Sequence, residues 1–124
     1  MLTRPSRWWL CTQATDMRRS FDGLSALVRN HLGRDPLDGS GFLFVNRRRT
    51  QLKVLYFDGT GLVLLTKRLL KGRFARPWTQ EGAASVELTV AELSLFLEGC
   101  ELAGRWKLSP PAFEEKELAV AHAL

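Results

Sequence analysis

Few residues of this 124-residue chain are suited to covalent or metal chemistry. There are two cysteines and two histidines, and the first 80 residues hold no glutamate. Cys11 and Cys100 lie 89 positions apart with no CxxC spacing, so they read as buried thiols in a reducing compartment and not as a disulfide. Neither His31 nor His122 has a second good ligand near it in the sequence, so no metal is expected. No GxSxG, Walker A, GxGxxG or HExxH pattern occurs. No apolar run approaches the ~18 residues that a membrane span needs. The opening MLTRPSRWWLC has only four apolar residues after its basic ones, too few for a secretory h-region. A cytoplasmic location without membrane contact is therefore expected.

Acid is scarce where base is plentiful. Residues 1–80 carry 15 Lys and Arg against 5 Asp, a balance of +10, whereas residues 81–124 carry 3 Lys and Arg against 8 Glu, a balance of −5. Segregation of this kind gives the molecule a directional field that attracts polyanions. With 45% hydrophobic and 25% charged residues, the composition is otherwise that of a globular domain.

Periodicity outlines the elements. RWWLC reads as a short strand or apolar entry segment. In TDMRRSFDGLSALVRNHLG, the stripe Met17, Phe21, Leu24, Val28 and Leu32 predicts an amphipathic helix, with Asp16 as N-cap and Gly33 as left-handed C-cap. Gly23 inside that pattern implies either a close neighbour or a later helix start. His31, near the carboxyl end of the helix, is assigned to that terminus. After the loop GRDPLDGSG come strands at Phe42–Val45, Leu52–Phe57 and Leu62–Thr66, linked by NRRRTQ and DGTG as an antiparallel meander. A further strand is expected at Ala84–Leu88. Thr89 and Glu92 then form a capping box for a helix over Val90–Glu98 that stops at Gly99. The fold class is α+β: a small antiparallel meander of three to five strands with two main helices packed against it. Residues 1–109 are read as one domain, and 110–124 as a tail with room for a helix.

Hairpin pairing brings the charges together. Arg47, Arg48 and Arg49 sit in the first turn, Lys53 lies just inside it on the second strand, and Lys67 and Arg68 return beside it on the third. Lys71 and Arg73 continue from there, while Asp58 is left at the opposite end, about 20 Å away for a strand at roughly 3.3 Å per residue. Crowded cations repel unless an anion relieves them, and Arg and Lys suit phosphates. These eight residues form the candidate nucleic-acid site; DNA, RNA and an acidic protein surface all fit. Arg-rich turns also protect sheet edges from aggregation. The carboxylates Asp16, Asp22, Asp35, Asp38 and Asp58 are explained by a cap, a helix face and turns, and Cys11 has no His partner, so an enzyme is not expected.

Five ordered motifs, TDMR, FDGL, F-x-F-x-N-R-R-R, K-x-L-x-x-D-x-x-G and K-R-L-x-x-G-x-F, resemble the small accessory protein encoded by the second open reading frame of bacterial insertion sequences of the sixty-six type. The resemblance covers roughly residues 8 to 100. It falls on Thr15, Asp16, Met17 and Arg18, on Phe21 to Leu24, on Asn46, Arg47, Arg48, Lys53, Leu55, Asp58 and Gly61, and on Lys67, Arg68, Leu69, Gly72 and Phe74. Pro77 precedes Trp78 where the family often has Trp-Pro, and the acidic tail departs from the usual ending. The resemblance implies an accessory role in DNA transposition, with strand transfer done by a separate, larger transposase. The expected partners are element DNA and that transposase, or the transposase alone if the protein is an adaptor. No cofactor or small-molecule substrate is expected.

Overall fold

The computed structural model describes residues 4–78 and 82–99. The expected tail over 110–124 and Cys100 lie outside them. In chain order the elements are β1 (Trp8–Cys11), α1 (Phe21–Asn30), β2 (Gly41–Val45), β3 (Gln51–Phe57), β4 (Leu62–Arg68), β5 (Ser85–Leu88) and α2 (Val90–Glu98). They build one five-stranded sheet in the order β4-β3-β2-β1-β5. The expected α+β meander is present as β2-β3-β4, with β1 added to it. β1 runs parallel to β2, which requires a crossover, and α1 supplies it. β5 then pairs antiparallel with the outer side of β1.

The alternation of side chains explains the apolar runs. β2, GFLFV, is buried at all five positions. Phe42 and Phe44 pack with Trp9, Cys11 and Leu55 under Leu24, Val28 and Leu32 of α1 and the chain just beyond it. Leu43 and Val45 face the other way, with Leu10, Leu52, Val54, Tyr56 and Leu88, and are covered by Phe74 and by Leu93 and Phe96 of α2. The two rings of that second cluster, Phe74 and Phe96, stack at 5.6 Å between centroids. A strand covered on both faces has no polar side, and the sequence shows none.

The helix ends differ in how well they follow the expected signals. Thr89 and Glu92 form the reciprocal capping box, and Gly99 ends α2 at φ 90°. For α1 the expected N-cap is wrong. The N-cap is Ser20, because the Asp16 carboxylate is engaged by the backbone and guanidinium of Arg18, and Arg19 N–H bonds back to the Asp16 carbonyl. That turn precedes the helix. Met17 therefore lies outside α1, although it still packs against the core, and Phe21 at the helix start is 43% exposed. Gly23 has the close neighbour as well as the late start, since a Cβ there would meet the Arg19 side chain at 3.3 Å. The C-cap is His31 and not Gly33; Gly33, two residues on and left-handed as expected at φ 66°, turns the chain so that Arg34 N–H reaches the Val28 carbonyl.

Gly41 begins β2 opposite Trp8. A Cβ at Gly41 would come within 2.5 Å of the Trp8 ring, closer than any real contact. Gly41→Ala is thus expected to lower stability by about 1–3 kcal/mol, the usual cost of overpacking. Chemical denaturation measures this, and trimming the ring in a Trp8→Leu background should recover most of the loss.

Candidate nucleic-acid interface

Parallel pairing of β1 and β2 sets which loops share an end of the sheet. The loop after β1 and the β2–β3 hairpin both leave from carboxyl ends of these strands, and β4 returns to the same end, with Arg68 opposite Gln51. Loop 12–20, loop 46–50 and the segment after β4 therefore lie together, and they carry Arg18, Arg19, Arg47, Arg48, Arg49, Lys71 and Arg73. The α1–β2 loop, with Asp35 and Asp38, and the β3–β4 turn, with Asp58, lie at the other end. The eight candidate cations are thereby separated from these three aspartates along the strand direction, over about 20 Å for seven residues, while Asp16 shares loop 12–20 and Arg34 shares the α1–β2 loop.

The hairpin turn is built by Asn46. Its side-chain carbonyl accepts the N–H groups of Thr50 at 2.9 Å and Gln51 at 3.1 Å, and its amide donates to the Thr50 hydroxyl. Arg49 N–H closes the turn on the Asn46 carbonyl at 2.9 Å. Arg47 and Arg48 occupy the exposed corners. Arg49 differs from them. It takes φ 61°, a left-handed conformation that favours glycine. There its carbonyl accepts Phe74 N–H at 2.7 Å, and its guanidinium donates to the Phe74 carbonyl at 3.2 Å. Arg49 clamps the segment after β4 onto the hairpin.

The remaining cations divide by the pleat. Lys53 and Arg68 project on the α1 side, whereas Lys67 projects on the α2 side; Lys67 thus does not return beside Lys53. Lys53 Nζ donates to the Arg19 carbonyl at 2.7 Å. Lys67 Nζ donates to the Leu97 carbonyl at 2.7 Å, in the last turn of α2, where carbonyls lack helical partners and a cation meets the negative end of the dipole. Arg68, Lys71 and Arg73 are exposed. The eight residues form a basic rim around one end of the sheet, spread over both faces. Among the described residues no carboxylate pairs with Arg47, Arg48, Lys53, Lys67, Arg68, Lys71 or Arg73; the two ion pairs are Arg7–Glu87 and Arg18–Asp16.

Sequence reasoning missed that Arg18 and Arg19 join this rim. What places them there is the parallel β1–β2 pairing, which carries loop 12–20 across the hairpin end, where Thr15 N–H bonds to the Val45 carbonyl. Two other arginines are placed elsewhere. Arg7 and Arg34 flank the Trp9 ring, at 5.0 and 3.2 Å from its centroid, and Arg7 pairs with Glu87 at 2.8 Å, holding the Glu87 carboxyl below its usual range. Burial raises the Cys11 thiol pKa. Among the described residues no group of three or more His, Cys, Asp or Glu could hold a metal ion, and no helix is long and apolar enough to cross a membrane.

The structure thus defines a small sheet domain with a basic rim at the carboxyl end of its parallel pair. The sequence matches the family described as IS66 Orf2 like protein over residues 6–106. The chain belongs to that family, the accessory proteins of IS66-type insertion sequences, which gives it an accessory role in transposition. Two relatives come from Sinorhizobium fredii (strain NBRC 101917 / NGR234). "Uncharacterized protein y4hO" is 42% identical over 77% of this chain and 81% of its own length. "Uncharacterized protein y4jC" is 37% identical over 80% and 83%. No solved structure matches.

The TDMR segment has a titration signature. Hydrogen bonds from the Arg18 guanidinium and then its backbone lower the Asp16 pKa from 3.8 to about 2. The turn is therefore held at any pH above the ordinary carboxyl value, and the pair is lost as pH falls through about 2. A carbon NMR titration of the Asp16 carboxyl should show that midpoint, and Arg18→Ala should move it back toward 3.8. No movement would mean that the pair does not form in solution.

Proposed function

We propose that the protein is a non-catalytic DNA-binding factor of transposition, gripping element DNA, alone or with the transposase, through the basic rim. The observation that carries this reading is the hairpin turn. Arg47 and Arg48 stand exposed on a turn braced by Asn46, with no carboxylate partner among the described residues, at the end of the sheet from which Asp35, Asp38 and Asp58 are removed. Such a cluster costs self-repulsion, and phosphates relieve it. The family role sets the context. The rim set is Arg47, Arg48, Arg68, Lys71 and Arg73 as direct contacts, with Lys53 and Lys67 adding charge while bonded to backbone carbonyls. Arg49 serves the fold. A protein adaptor that binds the transposase without touching DNA is the competing reading.

The test is a salt titration on duplex DNA. Contact with about 5 phosphates gives a slope of log K against log salt near −4.5. Arg47→Ala/Arg48→Ala should weaken binding and make the slope shallower by about 1.8, with thermal stability unchanged, because both side chains lie in solvent. Arg49→Ala should instead lower stability, through loss of the Phe74 clamp. Negligible affinity with a flat salt response would reject DNA binding in favour of the adaptor.

A further inference from the structure

The two edges of the sheet are protected unequally. β5 is four residues long, and its Glu87 is bonded by Arg7. β4 has seven residues, pairs with β3 without a bulge from Gln51–Arg68 to Phe57–Leu62, and contains no proline. Its charges, Lys67 and Arg68, stand at one end only. Edges are normally blunted by short length, bulges, proline or charge, and the stretch Leu62–Leu65 has none of these.

The hydrogen-bond phase identifies which backbone groups stay open. Leu69 N–H bonds to the Thr50 carbonyl, and Asp58 N–H bonds to the Gly61 carbonyl. Every second residue between those pairs turns its backbone toward β3, namely Val63, Leu65 and Lys67. Leu62, Leu64, Thr66 and Arg68 therefore direct N–H and C=O outward, and no described residue pairs with them. Leu65, in the middle, is 54% exposed.

We propose that β4 pairs antiparallel with β4 of a second copy about a two-fold axis through Leu65, joining two five-stranded sheets into one. In this register Leu64 exchanges hydrogen bonds with Thr66 of the second copy, and Leu62 with Arg68, so all four outward residues are satisfied. Leu65 faces its own symmetry mate at a non-hydrogen-bonded pair, where Cα atoms come to about 4.5 Å and side chains touch most closely. Charge limits the register, and the pairing of all four outward residues within β4 selects the axis at Leu65. Lys67 and Arg68 fall opposite the uncharged Val63 and Leu62, whereas moving the axis to Lys67 would set lysine against lysine. An acidic strand from another protein would match Lys67 and Arg68 but would not explain the uncharged centre. The dimer carries its two basic rims at opposite ends of the joint.

Sedimentation of the full chain without DNA tests this. The wild type should show twice the monomer mass. Leu65→Lys, which puts like charges on the axis, should give the monomer. Thr66→Pro should do the same while keeping a cooperative melt, because that N–H points away from β3 and proline is tolerated there. Should Thr66→Pro fail to fold, Leu65→Lys decides alone, since it changes only an exposed side chain. A wild type that stays monomeric across a dilution series overturns the proposal and leaves the edge to another chain. A dimer that persists in both variants overturns it equally.

Discussion

Burial of β2 on both faces is the constraint on which the rest of the structure depends. Five apolar residues, GFLFV, occupy the middle of the sheet and require cover above and below. α1 provides one cover because it has to cross from β1 to β2, and crossing is possible only over a face of the sheet. Phe74, Ala75 and α2 provide the other. Once that sandwich exists, the hairpin that follows β2 must emerge at the end where loop 12–20 also emerges. The basic rim is thus a consequence of connectivity, since polar loops of like charge are gathered by an apolar strand.

The rim carries two kinds of cation. Arg49, Lys53 and Lys67 are bonded to the carbonyls of Phe74, Arg19 and Leu97. Each ties a loop or helix end to the sheet, and together they draw loop 12–20, the segment after β4 and α2 toward one end. Arg47, Arg48, Arg68, Lys71 and Arg73 remain in solvent. The structural cations hold the frame on which the free ones are displayed, so the positive charge of this region belongs partly to the fold and partly to what the fold can bind.

Much of this was legible in the sequence, for physical reasons that differ by element. The boundaries of α2 followed from Thr89, Glu92 and Gly99, because capping is local chemistry between residues three apart or at a chain reversal. The three meander strands followed from apolar runs broken by Asn-Arg and Asp-Gly turns. The start of α1 did not follow. Asp16 has the right chemistry for a cap, but it is taken by Arg18 two residues later, a competition that spacing alone leaves undecided. The parallel pairing of β1 was hidden because RWWLC is short and its partner lies 30 residues away. With it went the placement of Arg18 and Arg19. The division of Lys53 from Lys67 depends on a single step of register, and the clamp role of Arg49 on a backbone conformation that its side chain does not advertise.

The parallel strand has a further consequence during synthesis. β2, β3 and β4 follow one another closely and can pair as they leave the ribosome, and β1 can join them once α1 has crossed. Cys11 meets its partner Ser85 only much later. Until that segment emerges, β1 is itself an open edge, with the Trp9 flank lacking Glu87. The nascent domain is therefore exposed to pairing errors on both sides of its sheet, and completion of β5 closes one of them.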